Sequence, residues 1–547
     1  MKQKLGIISL VLLLAALYTG CKKDNTVDLA GITLSKTSTT LKPEITENLT
    51  LTFFPENATN KEVLWTSSNP AVATVDNTGK ITAVGVGNTT ISVASTQIST
   101  IKATCDVTVS WATLSNISGN VSGIWEKNST VNISGHITVP VGQTLTIQEG
   151  VQVLFDDNGV GASHTRIEFM VAGKLYCNGT TTNPILFSVA ASKRIPTNTF
   201  GGLWGGIVAT KDCPEMLFNN VIIEYTGGDV VADSPSALAG IYTAGGDITP
   251  HITTNNPLGK YVITNCSLRN GRSDAIYFIG GQGIIANNTF IAIGQTGGEA
   301  INMKAGTRVD AAFNLIFSPN TNGLKLSSSG QDDAAGKTQA LIKAYNNTII
   351  NAGWRRDGIK GGGIYVEKGA LVSVFNNLLV NCKFMAMTPK FNLPNPSNGA
   401  DNNSVIDYNF YSSGSQQSTL TQDNPNYLTS YMGYVTTVAT TAANYWHDGR
   451  NSTPKVDFNS IVSSSAGDAA KDPKFAGFGF NTVALNSYTF DNSWNFKVLA
   501  GSPVLTGASS AFTGSFAPYW ATTGLTINGV EYKSPVPAAR FGAFGTN

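Results

Sequence analysis

Seven short segments of this 547-residue chain end an apolar run with the same polar step. They are FNNVII (218–223), TNCSL (264–268), ANNTF (286–290), FNLIF (313–317), YNNTII (345–350), FNNLLV (375–380) and YNFY (408–411). Aligned on the second polar position, they place Asn220, Cys266, Asn288, Asn314, Asn347, Asn377 and Asn409 in one column. From Cys266 onward the steps run from 22 to 33 residues. Self-similarity at such a period marks a solenoid. Each repeat is β-rich and Gly-punctuated, and no helical period runs through it. The chain is therefore expected to coil once per repeat, each strand pairing with its copy one turn on, as a parallel β-helix. Asparagine at a sharp corner tolerates left-handed geometry, and stacked amides hydrogen-bond along the axis. The column is read as scaffold, in preference to a row of ligand-binding amides. Cys266 fits there as a small buried side chain.

Charged residues make up 13% of the chain and the net charge is +1. Neither nucleic acid nor an anionic membrane surface is expected as an electrostatic partner. Cys105, Cys177, Cys213, Cys266 and Cys382 are scattered, with no CxxC pair, so neither a disulfide framework nor a zinc site is expected.

At the N-terminus two lysines precede an apolar run of about 14 residues, too short to span a membrane and laid out as a secretory signal. Thr19-Gly20-Cys21 resembles the end of a bacterial lipobox, with Tyr18 departing from the small aliphatic residue that pattern prefers. The resemblance implies a signal over 1–21, acylation of Cys21 and anchoring without spanning. Residues 22–30 read as a polar tether.

Residues 31–110 alternate apolar and polar positions in short runs, as a β-sandwich does. Trp65, Ser67, Asn69, Pro70, Val72, Val75, Asp76, Gly79, Ile81, Ala83, Gly85, Gly87, Thr90, Ile91 and Val93 resemble a bacterial immunoglobulin-like domain of group 2 (BIG2). Trp65 is expected in its core, and Asn77-Thr78-Gly79 as a hairpin turn. Such domains imply spacing and adhesion, without chemistry.

Residues 115–547 resemble right-handed β-helix proteins of the pectate-lyase-like superfamily. Leu145, Ile147, Val151, Val153 and Phe155 are expected to point inward in the opening coils. Insertions at 228–258 and 389–402 are expected as outer loops. Asp472-Pro473-Lys474-Phe475, Trp494-Asn495-Phe496 and Gly501-Ser502-Pro503-Val504 resemble the closing pattern of such solenoids, with Arg540-Phe541-Gly542-Ala543 as a last strand. The expected fold is all-β: an N-terminal immunoglobulin-like sandwich followed by a right-handed parallel β-helix.

Two segments carry candidate chemistry. In 297–306 (GGEAINMKAG), Glu299 and Lys304 resemble the acid-x4-Lys segment of β-helix polysaccharide lyases that cleave alginate and chondroitin. The resemblance implies Glu299 as a calcium ligand with Asn270, Lys304 as the base that removes the C5 proton, and Lys325 where that family has arginine. β-Elimination needs both a cation to acidify the carbon and a base to take the proton. Gly297 stands where the family has a second acid, which weakens the match. In 353–369, Trp354, Arg355, Arg356, Asp357, Lys360 and Tyr365 offer aromatic faces and cations for sugar binding, against the alternative of a loop held by its own Arg–Asp pairing.

The expected function is a monomeric, outer-membrane, cell-surface lipoprotein that binds polysaccharide or host glycan without catalysis, as surface lipoproteins of Bacteroidetes do by resemblance. The alternatives are a surface polysaccharide lyase and a structural adhesin without glycan ligand.

Overall fold

The computed structural model describes residues 26–295, 297–356, 361–383, 399–415, 457–463 and 467–547. Cys21, Asp357, Lys360 and most of the 389–402 insertion lie outside the described residues. The chain divides into two compact units, the second beginning at Thr113. It is all-β.

The first unit is an immunoglobulin-like sandwich. Val63–Ser67, Gly87–Ser95, Lys102–Val109 and Ser38–Leu41 form one sheet, and Thr46–Asn48, Lys80–Ala83 and Ala73–Val75 another. Asp76 Oδ1 accepts from Thr78 N at 2.8 Å and Lys80 N at 3.1 Å, which closes the expected turn. Gly79 supplies its left-handed φ of +85°. The core centre belongs to Ile81, Ile91 and Val93; Trp65 packs against it half-buried, rather than filling it. Its strand shares a sheet edge, where one side of a large ring stays wet.

The second unit is a parallel β-helix with three strands per coil. In one coil, Gly281–Ala286 belongs to sheet A, Thr289–Ile293 to sheet B and Ile301–Met303 to sheet C. Each pairs in parallel with its counterpart one coil on: Thr307–Ala312, Leu315–Phe317 and Asn322–Ser327. Parallel crossovers of this kind are right-handed in nearly all proteins. Inward positions stack from coil to coil, as Phe187, Ile223, Leu268, Phe290, Ile316 and Ile349 do on sheet B. All are fully buried, and Leu145, Ile147, Val151, Val153 and Phe155 point inward as expected.

The asparagine column forms a buried amide ladder at the corner between sheets A and B. Asn314 Oδ1 accepts from Asn288 N and from Asn288 Nδ2, both at 3.0 Å, and Asn314 Nδ2 also donates to Ile285 O at 2.9 Å. The same pattern repeats at Asn347, Asn377 and Asn409. Cys266 heads the ladder, donating its N–H to Asn288 Oδ1, and Ser460 Oγ ends it by accepting from Asn409 N. Each buried amide thus satisfies corner groups that would otherwise cost about 1–3 kcal/mol apiece.

Two details differ from the sequence reading. The left-handed residue is the one before the column: Asn265, Asn287, Phe313, Asn346, Asn376 and Tyr408 have φ between 51° and 58°. The column side chain turns inward to bond, so its neighbour makes the bend. Asn220, with φ of 52°, belongs among those bending residues; Val221 occupies the column on its coil, since Asn219 pairs with Thr264 and Ile222 with Ser267.

The C-terminal stretch is a strap and not a closing coil. Phe475, Phe478, Phe480, Phe496 and Phe541 pack on outward residues of sheet B, including Ile291, Phe317, Ile350 and Phe410. Trp520, Leu525 and Ile527 pack on Tyr176, Leu217, Val262 and Ile284 of sheet A. Asp310 on sheet A clamps it, accepting from Tyr519 N at 3.1 Å, Trp520 N at 3.0 Å and Ser534 Oγ at 2.6 Å. Residues 540–543 form no strand. The outward rows of sheets A and B each have an apolar stretch, and the closing motif covers those stretches because it is itself aromatic.

Candidate functional site

Sheet C differs from its neighbours. None of the apolar clusters that bind the strap draws on it. Its upper coils carry Met170, Val208 and Thr253 outward, all buried. Only the first part of the 228–258 insertion is the expected outer loop, since Ile252–Thr254 is itself a sheet C strand. That loop covers them, with Tyr242 Oη 2.6 Å from Thr253 Oγ1 and Ser236 donating both its N–H and Oγ to Glu168. The next coils set Tyr277, Asn302, Lys325 and Tyr365 in one outward row. Three coil steps make the row about 14 Å long. Tyr242 closes one end, its ring centroid 6.2 Å from that of Tyr277.

A lysine accompanies each aromatic face. Lys304 Nζ lies 5.8 Å from the Tyr277 ring centroid, and Lys325 Nζ 5.7 Å from that of Tyr365. Glu367 ties the far end together, with Oε1 3.5 Å from Lys325 Nζ and accepting from Ser327 Oγ at 3.0 Å. Lys304 is held below the usual lysine range, first by burial and then by the charge of Lys325. Burial pushes the Tyr277 and Tyr365 hydroxyls up to about 12.

Beneath the row lies a carboxyl pair. Asp274 Oδ1 accepts from Glu299 N, and its Oδ2 from Asn302 Nδ2, both at 2.8 Å. Asn322 Nδ2 donates to Glu299 Oε1 at 3.2 Å. Burial, and then the neighbouring Glu299, raise the Asp274 carboxyl well above the usual carboxylate range. Asn302 Oδ1 is a buried acceptor with no partner among the described residues.

The sequence candidates divide. Glu299, Lys304, Lys325 and Tyr365 come together on sheet C. Asn270 does not join them: it lies within a sheet B strand, Ser267–Gly271, where its side chain bonds Tyr225. The expected calcium pair is therefore not assembled, and among the described residues no group of three or more His, Cys, Asp or Glu could hold a metal. Glu299 already spends its carboxyl on Asp274 and Asn322. Trp354 and Arg355 are packing residues, not sugar contacts. Trp354 is 4% exposed and donates Nε1 to Asn381 O. Arg355 donates to Ser318 O, Gly294 O and Ile293 O and lies against the Phe200 ring. Arg356 turns its carbonyl to Lys383 Nζ. Asp274, Tyr277, Asn302 and Glu367 escaped the sequence reading; their only signal is register with Glu299, Lys325 and Tyr365.

Residues 28–107 match the model of the bacterial Ig-like domain (group 2). Two uncharacterized proteins of Clostridium acetobutylicum are 42% and 43% identical to the chain over 79 residues. That stretch is 14% of this chain, and 20% and 8% of the two relatives. The chain thus spans a fifth or less of the curated relatives it matches.

Proposed function

We propose that the sheet C row binds an extended polysaccharide bearing carboxylates, on a protein held at the outer-membrane surface through acylated Cys21, with the immunoglobulin-like unit as spacer. The observation that carries this reading is the pairing of each aromatic ring with a lysine along one strap-free face. Tyrosine rings stack on sugar faces, while ammonium groups meet acidic substituents. The unpartnered Asn302 amide oxygen adds an acceptor for a sugar hydroxyl. Affinity electrophoresis in gels containing alginate, pectate or a neutral glucan tests it. Retardation by an acidic gel that Lys325→Ala abolishes supports the reading; equal mobility in every gel sinks it. For the anchor, Cys21→Ser is expected to move the protein from the membrane fraction to the soluble one.

A second reading, surface polysaccharide lyase, is favoured by the lowered Lys304. A neutral Lys304 amine would take the C5 proton, the C–H electrons would form the C4–C5 double bond, and the O4 bond would break, its oxygen taking a proton from solvent or a nearby acid. Ultraviolet absorbance of an unsaturated uronate product distinguishes this from binding alone.

A further inference from the structure

Sheet B carries a second cluster that the polysaccharide row does not use. Its outward row runs Ser188, Glu224, Arg269, Ile291 and Phe317. The polar part ends where the strap begins, and a cleft of about 500 Å³ lies at the junction. That is the size of a small-ligand pocket. Ile222 and Ile291 form its floor, and Tyr488 and Phe490 of the strap its wall.

Two arginines and one carboxylate face this cleft. Arg269 Nε donates to Glu224 Oε2 at 2.7 Å, and Ser188 Oγ to Glu224 Oε1 at 2.8 Å. Arg194 Nε donates to Val189 O at 2.8 Å and lies 3.7 Å from Glu224 Oε1. Both guanidiniums use only Nε in these bonds. Their terminal nitrogens donate to no protein atom among the described residues. The side chains are 24% and 33% exposed, so the cleft holds one uncompensated positive charge that is largely shielded from water. An unpaired, partly desolvated charge is costly, and a planar guanidinium fork matches a carboxylate in two parallel bonds.

We propose that this cleft is a binding site for a single acidic sugar residue, its carboxylate taken by the free edges of Arg194 and Arg269 and its ring set against Tyr488 and Phe490. The site is independent of the sheet C row and does not rest on that reading. Glu224 orients Arg269 and limits the site to one negative charge.

Calorimetric titration of the full chain with glucuronate tests it, in a Lys325→Ala background so that the row contributes no heat. Saturable binding is expected, with glucose weaker by about tenfold or more, since it lacks the charge. Arg194→Gln, which removes the free guanidinium edge and the Nε bond to Val189 O, is expected to weaken glucuronate by a similar factor in a chain that still melts cooperatively. The proposal is overturned if glucuronate gives no saturable heat, or if Arg194→Gln, folded by its melting curve, binds it as before. Inorganic sulfate binding as tightly as glucuronate would overturn the sugar assignment. Affinity lost through Lys325→Ala alone would move the ligand to sheet C.

Discussion

On sheet B the outward row changes from Ser188, Glu224 and Arg269 to Ile291, Phe317 and Ile350, and the strap lies over the apolar part. On sheet C it changes the other way, from Met170, Val208 and Thr253 under an insertion to Tyr277, Asn302, Lys325 and Tyr365 clear of the strap. The backbone is the same in both. Inward strand positions are apolar with few exceptions such as Thr254, because each coil can bury its core only against its neighbours. Outward positions are free to vary, and the chain uses them in two ways: as an adhesive for its own C-terminal stretch, or as a polar surface for something else. Where an outward row turns polar and stays clear of the strap, it is open to solvent or to a ligand, which is the premise of the proposed function.

The contrast can be broken from either side. Phe317→Ala removes a fully buried ring from sheet B that meets Phe478, Phe490 and Trp494 of the strap. A loss of about 3–5 kcal/mol is expected in denaturant titration; a loss under about 1 kcal/mol would mean the strap contributes little. Asn347→Ala cuts the ladder at the corner and leaves Asn314 N–H and Ala311 O, both on the preceding coil, without their partner, for about 3 kcal/mol by the same measurement.

A smaller effect depends on pH. Burial raises Glu168, under the insertion that walls sheet C, from 4.5 to about 6 against the opposing Ser236 bonds. The folded state thus holds that proton more tightly than the unfolded chain. The stabilisation is fully present below pH 4.5 and is lost as pH rises through about 6, about 2 kcal/mol in all. Thermal melts of Glu168→Gln beside the parent across that window test the sign: the parent should lose stability relative to the variant as pH rises.

Tyr365→Ala is the mildest change to the fold and the sharpest test of the face. Stability is expected to move by less than about 1 kcal/mol. Retention in an acidic polysaccharide gel is expected to fall about tenfold, the worth of one good aromatic contact. A large stability loss with unchanged retention would place sheet C in the scaffold with its neighbours.

The coil was readable because its corner repeats one residue type in a fixed context, YNN or FNN before an apolar strand. The one-residue slip at Asn220 came from that same context: FNNVII and TNCSL each offer two polar positions, and only strand pairing tells which one bends. Half the sheet C site was readable, Glu299 and Lys304 through their local spacing and Lys325 and Tyr365 near them. Asp274, Tyr277, Asn302 and Glu367 were not. The connection from sheet B to sheet C runs from Gly271 to Ile276 in one coil and from Ile350 to Gly362 in another, so no constant offset from the column finds the row. Trp354 and Arg355 misled for a related reason: rings and guanidiniums that suit sugars also suit tight packing, and residue type alone does not say which way a side chain turns. The closing motif was recognisable, but its aromatic content pointed to a partner surface and not to a coil end.

The strap also sets a clock. Tyr519 and Asp310 meet across 209 residues of chain. At ribosomal speed, roughly 10–40 s separates the two. Coils that form before the strap arrives have neighbours above and below Phe317 and Ile284 but nothing from the strap over their sides. Without the strap the solenoid presents two apolar flanks, and anything that delays the last residues lengthens the time in which such flanks can adhere to one another.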